Sequence, residues 1–118
     1  MMSILAFGPL APGDTDFFMF DFGDATLTQG ACLEAGDTIL TATVSTSVWA
    51  IPAGVASAAD LNVTGAVIGG TEAAPMSVVT TTVQPSGTLG VTYLITMTIT
   101  TANGRTLVRS GSLLIANL

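Results

Sequence analysis

The sequence contains no lysine and no histidine, and its only cations are Arg105 and Arg109. Eight acidic residues against these two give a net charge of −6, which repels the phosphates of nucleic acids. The bases that usually activate a serine or cysteine nucleophile are missing, and no two acids are spaced to face each other across a cleft. We therefore expect neither an enzyme nor a nucleic-acid-binding protein.

Ligand sets for metals and cofactors are missing as well. Cys32 is the only cysteine, so no internal disulfide can form, and zinc or iron sites lack ligands. Asp14, Asp16, Asp21 and Asp24 flank an aromatic stretch, but their spacing is not that of a calcium loop. We read these acids as solvated strand ends, and we predict no metal, no cofactor and no catalytic residue.

Long uninterrupted apolar runs are also absent, although 49% of the residues are hydrophobic, 8% are charged and the mean hydropathy is +0.71. Threonine, serine and glycine break the apolar runs, a pattern typical of strands with one buried face. The runs that remain are too short for a membrane-spanning helix. The N-terminus lacks a basic region, so we expect that the chain has no signal peptide and is made in the cytoplasm. We also expect no membrane partner. So low a surface charge favours an assembled protein, and we expect a homo-oligomer.

Alternation of apolar and hydroxyl-bearing side chains is clearest near the C-terminus. One face of the strand there carries residues that we predict for the core: Tyr93, Ile95, Met97 and Ile99. The dipeptide Asn103-Gly104 favours a hairpin turn, so the segment 106–115 is expected to return antiparallel. Tyr93 either occupies the corner position typical of immunoglobulin-like sandwiches or is a plain core tyrosine.

Shorter strands are predicted upstream, separated by glycine and proline, at 16–22, 37–44, 47–51, 61–68 and 76–83. A short helical turn is expected within 26–36. Strands at this spacing predict an all-β fold, an immunoglobulin-like antiparallel β-sandwich with Greek-key connections. Trp49 is predicted to fill the core between the sheets, with a ligand platform as the alternative.

The first residues differ from the rest, because glycine and proline alternate there with large apolar side chains. This composition predicts an extended N-terminal arm at 1–13, followed by the sandwich at 14–118. Either the arm docks on a neighbouring subunit or it folds back on its own domain. Its apolar anchors are Ile4, Leu5, Phe7 and Leu10.

Five stretches carry a resemblance to a known family. They are DFFMFDFGD (16–24), GDTILTATV (36–44), IPAG (51–54), ADLNVTG (59–65) and GTLGVTYLITMTITTANGRTLVRS (87–110). In this pattern they resemble the small immunoglobulin-like virion proteins of tailed bacteriophages and prophages, including those called fibre-tail adaptor proteins.

The resemblance implies a structural component of the virion, located in the tail rather than the capsid. Such a protein joins a tail ring or tube to fibres in several symmetric copies, and its partners are other virion proteins. A capsid decoration protein, bound to the capsid protein of the head, is the first alternative. A carbohydrate-binding module, which sandwich folds often provide, is the second.

Candidate interface residues are the four arm anchors together with Arg105 and Arg109. Because cations are so scarce, each arginine is expected to have a specific partner, such as an aspartate of the segment 14–24. That partner lies either in the same chain or in a neighbouring subunit.

Overall fold

The structure is a computed structural model that describes residues 4–6, 9–11, 13–22, 33, 36–69, 78–84 and 86–116. Every regular element within these ranges is a strand. The seven strands are β1 (Ile4–Ala6), β2 (Asp16–Asp21), β3 (Ile39–Ala50), β4 (Val63–Gly69), β5 (Val78–Val83), β6 (Thr92–Thr101) and β7 (Thr106–Leu114).

The strands form two sheets that enclose one core. The first sheet has the order β1-β7-β6-β3, and the second has the order β2-β5-β4. All neighbouring strands are antiparallel except β1 and β7, which run parallel. Because buried side chains of both sheets belong to a single hydrophobic cluster, the fold is all-β and sandwich-like, as predicted.

Strand β6 supplies the centre of the core. Its exposure alternates residue by residue, and the four predicted core residues on it are at most 1% exposed. The opposite sheet contributes Phe18 and Phe20 from β2 and Val79 and Val83 from β5. The period of two in the sequence therefore reports correctly which face of β6 is buried.

Strand β3 corrects the prediction of two strands separated at Ser45-Thr46. The structure has one strand of 12 residues, in which Ser45 and Thr46 pair with Thr96 and Ile95 of β6. Serine and threonine are acceptable strand residues, and the long β6 offers an unbroken partner, so nothing forces a turn. The register shifts only at the ends, where Leu40 and Trp49 are the extra residues of β-bulges.

The N-terminal segment is part of the first sheet where the structure describes it. Ile4 pairs with Ser110 of β7, and Leu10 forms a bridge with Ile115. The amide of Leu10 donates to the carbonyl of Leu114 at 3.0 Å. These described residues pair with their own chain, whereas the division into an arm at 1–13 and a sandwich at 14–118 stays a prediction.

Several sequence predictions fall outside the described residues. These are Phe7, Asp24, Cys32 and most of the helical turn expected within 26–36. Across the described ranges, no helix combines the length and apolar character needed to cross a membrane.

Candidate functional site

A buried aspartate fixes the start of β3 to the turn between β6 and β7. Asp37 is 6% exposed, and its Oδ1 accepts the backbone N–H of Asn103 at 3.0 Å and that of Thr38 at 2.9 Å. The hydroxyl of Thr101 accepts the backbone N–H of Arg105 at 3.1 Å and contributes to the lowered pKa of the Asp37 carboxyl. One carboxylate therefore organises both segments.

Backbone hydrogen bonds complete this contact, which we call the turn clamp (Asp37, Thr38 and Thr101–Arg105). The amide of Ala102 donates to the carbonyl of Thr38 at 2.9 Å, and the amide of Thr101 donates to the carbonyl of Arg105 at 2.9 Å. Gly104 has φ +83°, the left-handed conformation that its place in the turn requires. The clamp thus joins two sequence motifs, GDTI and NGRT, that lie far apart in the chain.

The environment of Asp37 lowers the pKa of its carboxyl. Burial alone raises this pKa, since it penalises the charged form. The hydrogen bonds from Thr101, Asn103 and Thr38 and the positive charge of Arg105 act in the opposite direction and prevail. Asp37 is therefore an ionised structural group, held in place by donors on the neighbouring turn.

Arg109 lies between the sheets. It is 1% exposed, its guanidinium carbon lies 4.8 Å from the centre of the Phe22 ring, and its Nη1 donates to the backbone carbonyl of Asp21. The predicted partner in the segment 14–24 is present, in the same chain and through a backbone oxygen. The prediction of Arg109 as an interface residue is wrong, because its side chain is enclosed by its own domain.

Arg105 lies at the turn clamp and is half-buried. Its charge contributes to the lowered pKa of Asp37 in the same chain. A role for Arg105 at an interface stays a prediction. Arg109 is thus a core residue and Arg105 a turn residue, although the two lie four positions apart in the last hairpin.

The arm anchors also separate. Leu10 is 6% exposed and belongs to the core cluster, so its assignment to an interface is wrong. The backbones of Ile4 and Leu5 lie in β1. Their side chains, and the whole of Phe7, do not belong to the part of the chain that the structure describes. The apolar character of Leu10 therefore serves the protein's own fold.

Tyr93 occupies a corner between two loops and the start of β6. Its hydroxyl donates to the carbonyl of Ala59 at 2.5 Å and accepts the amide of Thr88 at 2.9 Å. The hydroxyl of Thr88 in turn accepts the amide of Ala59 at 2.7 Å. The ring is buried, as predicted, and the hydroxyl ties both loops to the start of β6.

Trp49 is 53% exposed, so its prediction as a core residue is wrong. Trp49 continues the outward-facing series Thr41, Thr43, Ser45 and Ser47 of β3, and it is also the unpaired extra residue of the β-bulge between Val48 and Ala50. Leu40 is the extra residue of the other bulge and is 60% exposed. Both ends of β3 therefore present a large apolar side chain to solvent.

The outer face of the first sheet is covered by hydroxyl groups. Thr41 and Thr100 are hydrogen-bonded through their hydroxyls at 2.5 Å, and Thr96 bonds to Ser110 in the same way at 3.0 Å. No charged residue occurs in the sequence between Asp37 and Asp60. This face and the free edge of β3 beside it form a neutral surface.

The outer face of the second sheet is more apolar. Met19, Thr80 and Val67 form one row across β2, β5 and β4, and Phe17 lies along β2 from this row. Phe17, Met19 and Val67 are all exposed large hydrophobic residues. Exposed apolar residues grouped in this way mark contact surfaces in many proteins.

Among the described residues, no three histidine, cysteine or acidic side chains lie close enough together to hold a metal ion. What the described surface offers chemically is backbone hydrogen bonding at strand edges, hydroxyl groups and apolar contact. Comparison with family models, with curated proteins and with solved structures finds no match for this chain.

Proposed function

We propose that this chain is a non-enzymatic structural virion protein of a tailed phage or prophage, a tail component that connects tail and fibres through symmetric protein contacts. Its partners are other virion proteins and further copies of itself. The observation that carries the proposal is the neutral edge of β3, which is flanked by exposed Leu40 and Trp49. An edge strand whose outer backbone groups are not paired in its sheet is suited to strand addition by a protein partner.

We further propose that the fold is an immunoglobulin-like sandwich with Greek-key connections. The sheet orders β2-β5-β4 and β7-β6-β3 correspond to the B-E-D and G-F-C strands of that fold. Tyr93, near the start of the sixth strand, bonds backbone a few residues upstream, as a corner tyrosine does. Both features support the proposal, although Trp49 is not the buried tryptophan of antibody domains.

The turn clamp supports the family resemblance. Two of the stretches that carry that resemblance contain Asp37 and Asn103, and the backbone N–H of Asn103 donates to the Asp37 carboxylate. A chance resemblance explains two motifs less readily when they contact each other in the fold than when they lie apart. Fold similarity does not by itself fix a function, so the location in a particle needs a direct test.

Immunogold electron microscopy of particles induced from the source organism provides that test. Antibody raised against the recombinant chain is expected to label the tail at the fibre junction. Label over the head would replace this proposal with the capsid decoration alternative. A working antibody that labels no particle would overturn both virion roles.

Trp49 favours one second candidate, a carbohydrate-binding module. An exposed tryptophan can stack on a sugar ring, and this side chain is exposed beside neutral hydroxyl groups. A glycan array probed with the wild type and with Trp49→Ala separates the two functions. Binding that is lost in the variant would support the module, and an absence of binding would remove it.

A further inference from the structure

We propose that two copies of this chain pair through strand β3, antiparallel and across a twofold axis, so that the first sheet continues from one copy into the other. This inference adds a specific surface to the proposed assembly. It does not rest on the virion role, because pairing is a property of the isolated chain. Failure of the pairing would leave the particle-labelling experiment unaffected.

Among the described strands, β3 is an edge strand of the first sheet, and β4 of the second sheet approaches it without a hydrogen-bonded pairing. β3 lies at the end of the first sheet and pairs with β6 alone. Between its two bulges, Thr41–Val48 pairs with β6 without a register shift. Proteins usually protect such an edge with charges, prolines, short strands or bulges within the exposed stretch. Thr41–Val48 contains no charge, no proline and no internal bulge.

Charge permits a second copy at this edge. The chain carries a net charge of −6, so contacts between copies that bring acids together are penalised. β3 itself carries no ionisable side chain, so pairing along β3 places no acids opposite each other.

The side-chain pattern of β3 is also self-complementary. The outward residues Thr41, Thr43, Ser45 and Ser47 are exposed, and the inward residues Ala42, Val44 and Thr46 are half-buried. Antiparallel pairing centred on Val44 or Ser45 opposes outward residues with outward ones and inward residues with inward ones. A twofold axis imposes this reciprocity, and both faces of the sheet stay continuous.

The bulges fit the same arrangement. Leu40 and Trp49 lie at opposite ends of the regular stretch. In either register, antiparallel pairing brings Leu40 of one copy beside Trp49 of the other. Pairing therefore covers at both ends the large apolar side chains that a single copy leaves in solvent.

The test is the mass in solution of the full chain and three variants, measured by light scattering on a size-exclusion column over a concentration series. The wild type is expected to be dimeric. Ser45→Lys and Ser45→Glu each place two like charges near the axis, so each is expected to be monomeric. An equimolar mixture of these two variants is expected to regain the dimer, since opposite charges then meet.

Thr64→Lys is the matched control, because it adds the same charge at an exposed position on β4, an edge strand of the second sheet. It is expected to remain dimeric. A wild type that is monomeric at every concentration would overturn the proposal. So would a dimer that Ser45→Lys leaves intact or that Thr64→Lys alone disrupts.

Hydrogen exchange on the wild type tests the same edge without substitution. Alternate amides of Thr41–Val48 point away from β6, and their protection is expected to rise with protein concentration. Protection that is high at all concentrations in a monomeric protein would mean that the chain covers its own edge. That result would overturn the proposal.

Discussion

Oδ1 of Asp37 accepts the backbone N–H of Asn103 at 3.0 Å, and this bond joins the start of β3 to a turn 66 positions later in the chain. A turn such as Asn103-Gly104 can form locally, but its position against β3 needs a long-range contact. The carboxylate provides this contact and also accepts the amide of Thr38. We therefore expect Asp37 to stabilise the packing of the hairpin on β3.

Asp37→Asn is expected to lower the melting temperature at neutral pH, because an amide accepts these backbone donors less strongly than a carboxylate does. The pKa of Asp37 is lowered by folding, so its ionised form stabilises the protein above the ordinary pKa of 3.8. This contribution is lost as the pH falls through the lower, folded value. Thermal melts of both proteins from about pH 7 down to about pH 2 are therefore expected to converge at the acid end.

Asp60→Asn is the control, because Asp60 is exposed and the substitution removes the same charge. It is expected to leave the melting temperature nearly unchanged. A difference between wild type and Asp37→Asn that is equally large at every pH would contradict the role given to the ionised carboxylate.

Arg109→Ala is expected to reduce the free energy of unfolding by about 2–4 kcal/mol, since it leaves a cavity and deprives the Asp21 carbonyl of a donor. Chemical denaturation measures this loss. Arg105→Ala, at the half-buried position, is expected to cost less. Arg109→Ala should leave the oligomeric state unchanged; dissociation of the assembly without a loss of stability would restore Arg109 to an interface.

Gly87→Ala is expected to destabilise the protein by about 1–3 kcal/mol from backbone strain, with a further cost from overpacking. Gly87 has φ +88°, and an added Cβ would lie 3.0 Å from Cγ1 of Ile115. Gly54→Ala is the matched control, since Gly54 has φ +89° and nothing within 4 Å of the added atom. Equal losses of denaturation free energy in the two variants would contradict the packing argument.

Trp49 is the only tryptophan, so intrinsic fluorescence reports on it alone. At concentrations at which the protein is monomeric, its emission is expected to resemble that of a solvent-exposed indole and to be strongly quenched by acrylamide. Trp49→Ala is expected to change the free energy of unfolding by no more than about 0.5 kcal/mol, as is usual at exposed positions. A blue-shifted emission resistant to quenching in the monomer would contradict the exposed position.

The features that the sequence predicts best are local ones. The alternation along β6 and the Asn103-Gly104 turn identify the last hairpin and its buried face, because both signals depend on near neighbours. The single strand β3 is less predictable, since its continuity depends on the length of β6. The parallel pairing of β1 with β7 is a contact between the two ends of the chain, and no local pattern reports it.

The candidate site is harder to predict than the fold. Trp49 lies outside the core because it continues the outward series of Thr41 to Ser47 along β3. The predicted break at Ser45-Thr46 hid this relation, since the face of a separate strand at 47–51 is not fixed by the residues before it. Arg109 had a signal: it shares the inward face of β7 with Leu107 and Leu113. A charged residue on a buried face is expected to pair inside the domain, as Arg109 does with the carbonyl of Asp21.

The burial of Arg109 and the half-burial of Arg105 leave the described surface without a fully exposed cation. Solvent therefore meets carboxylates, hydroxyls and apolar groups, and the field around the molecule is negative. Copies of such a protein repel one another at long range, and dissolved ions screen this repulsion. Higher ionic strength is thus expected to favour contact between copies, the reverse of its effect on partners that attract through opposite charges.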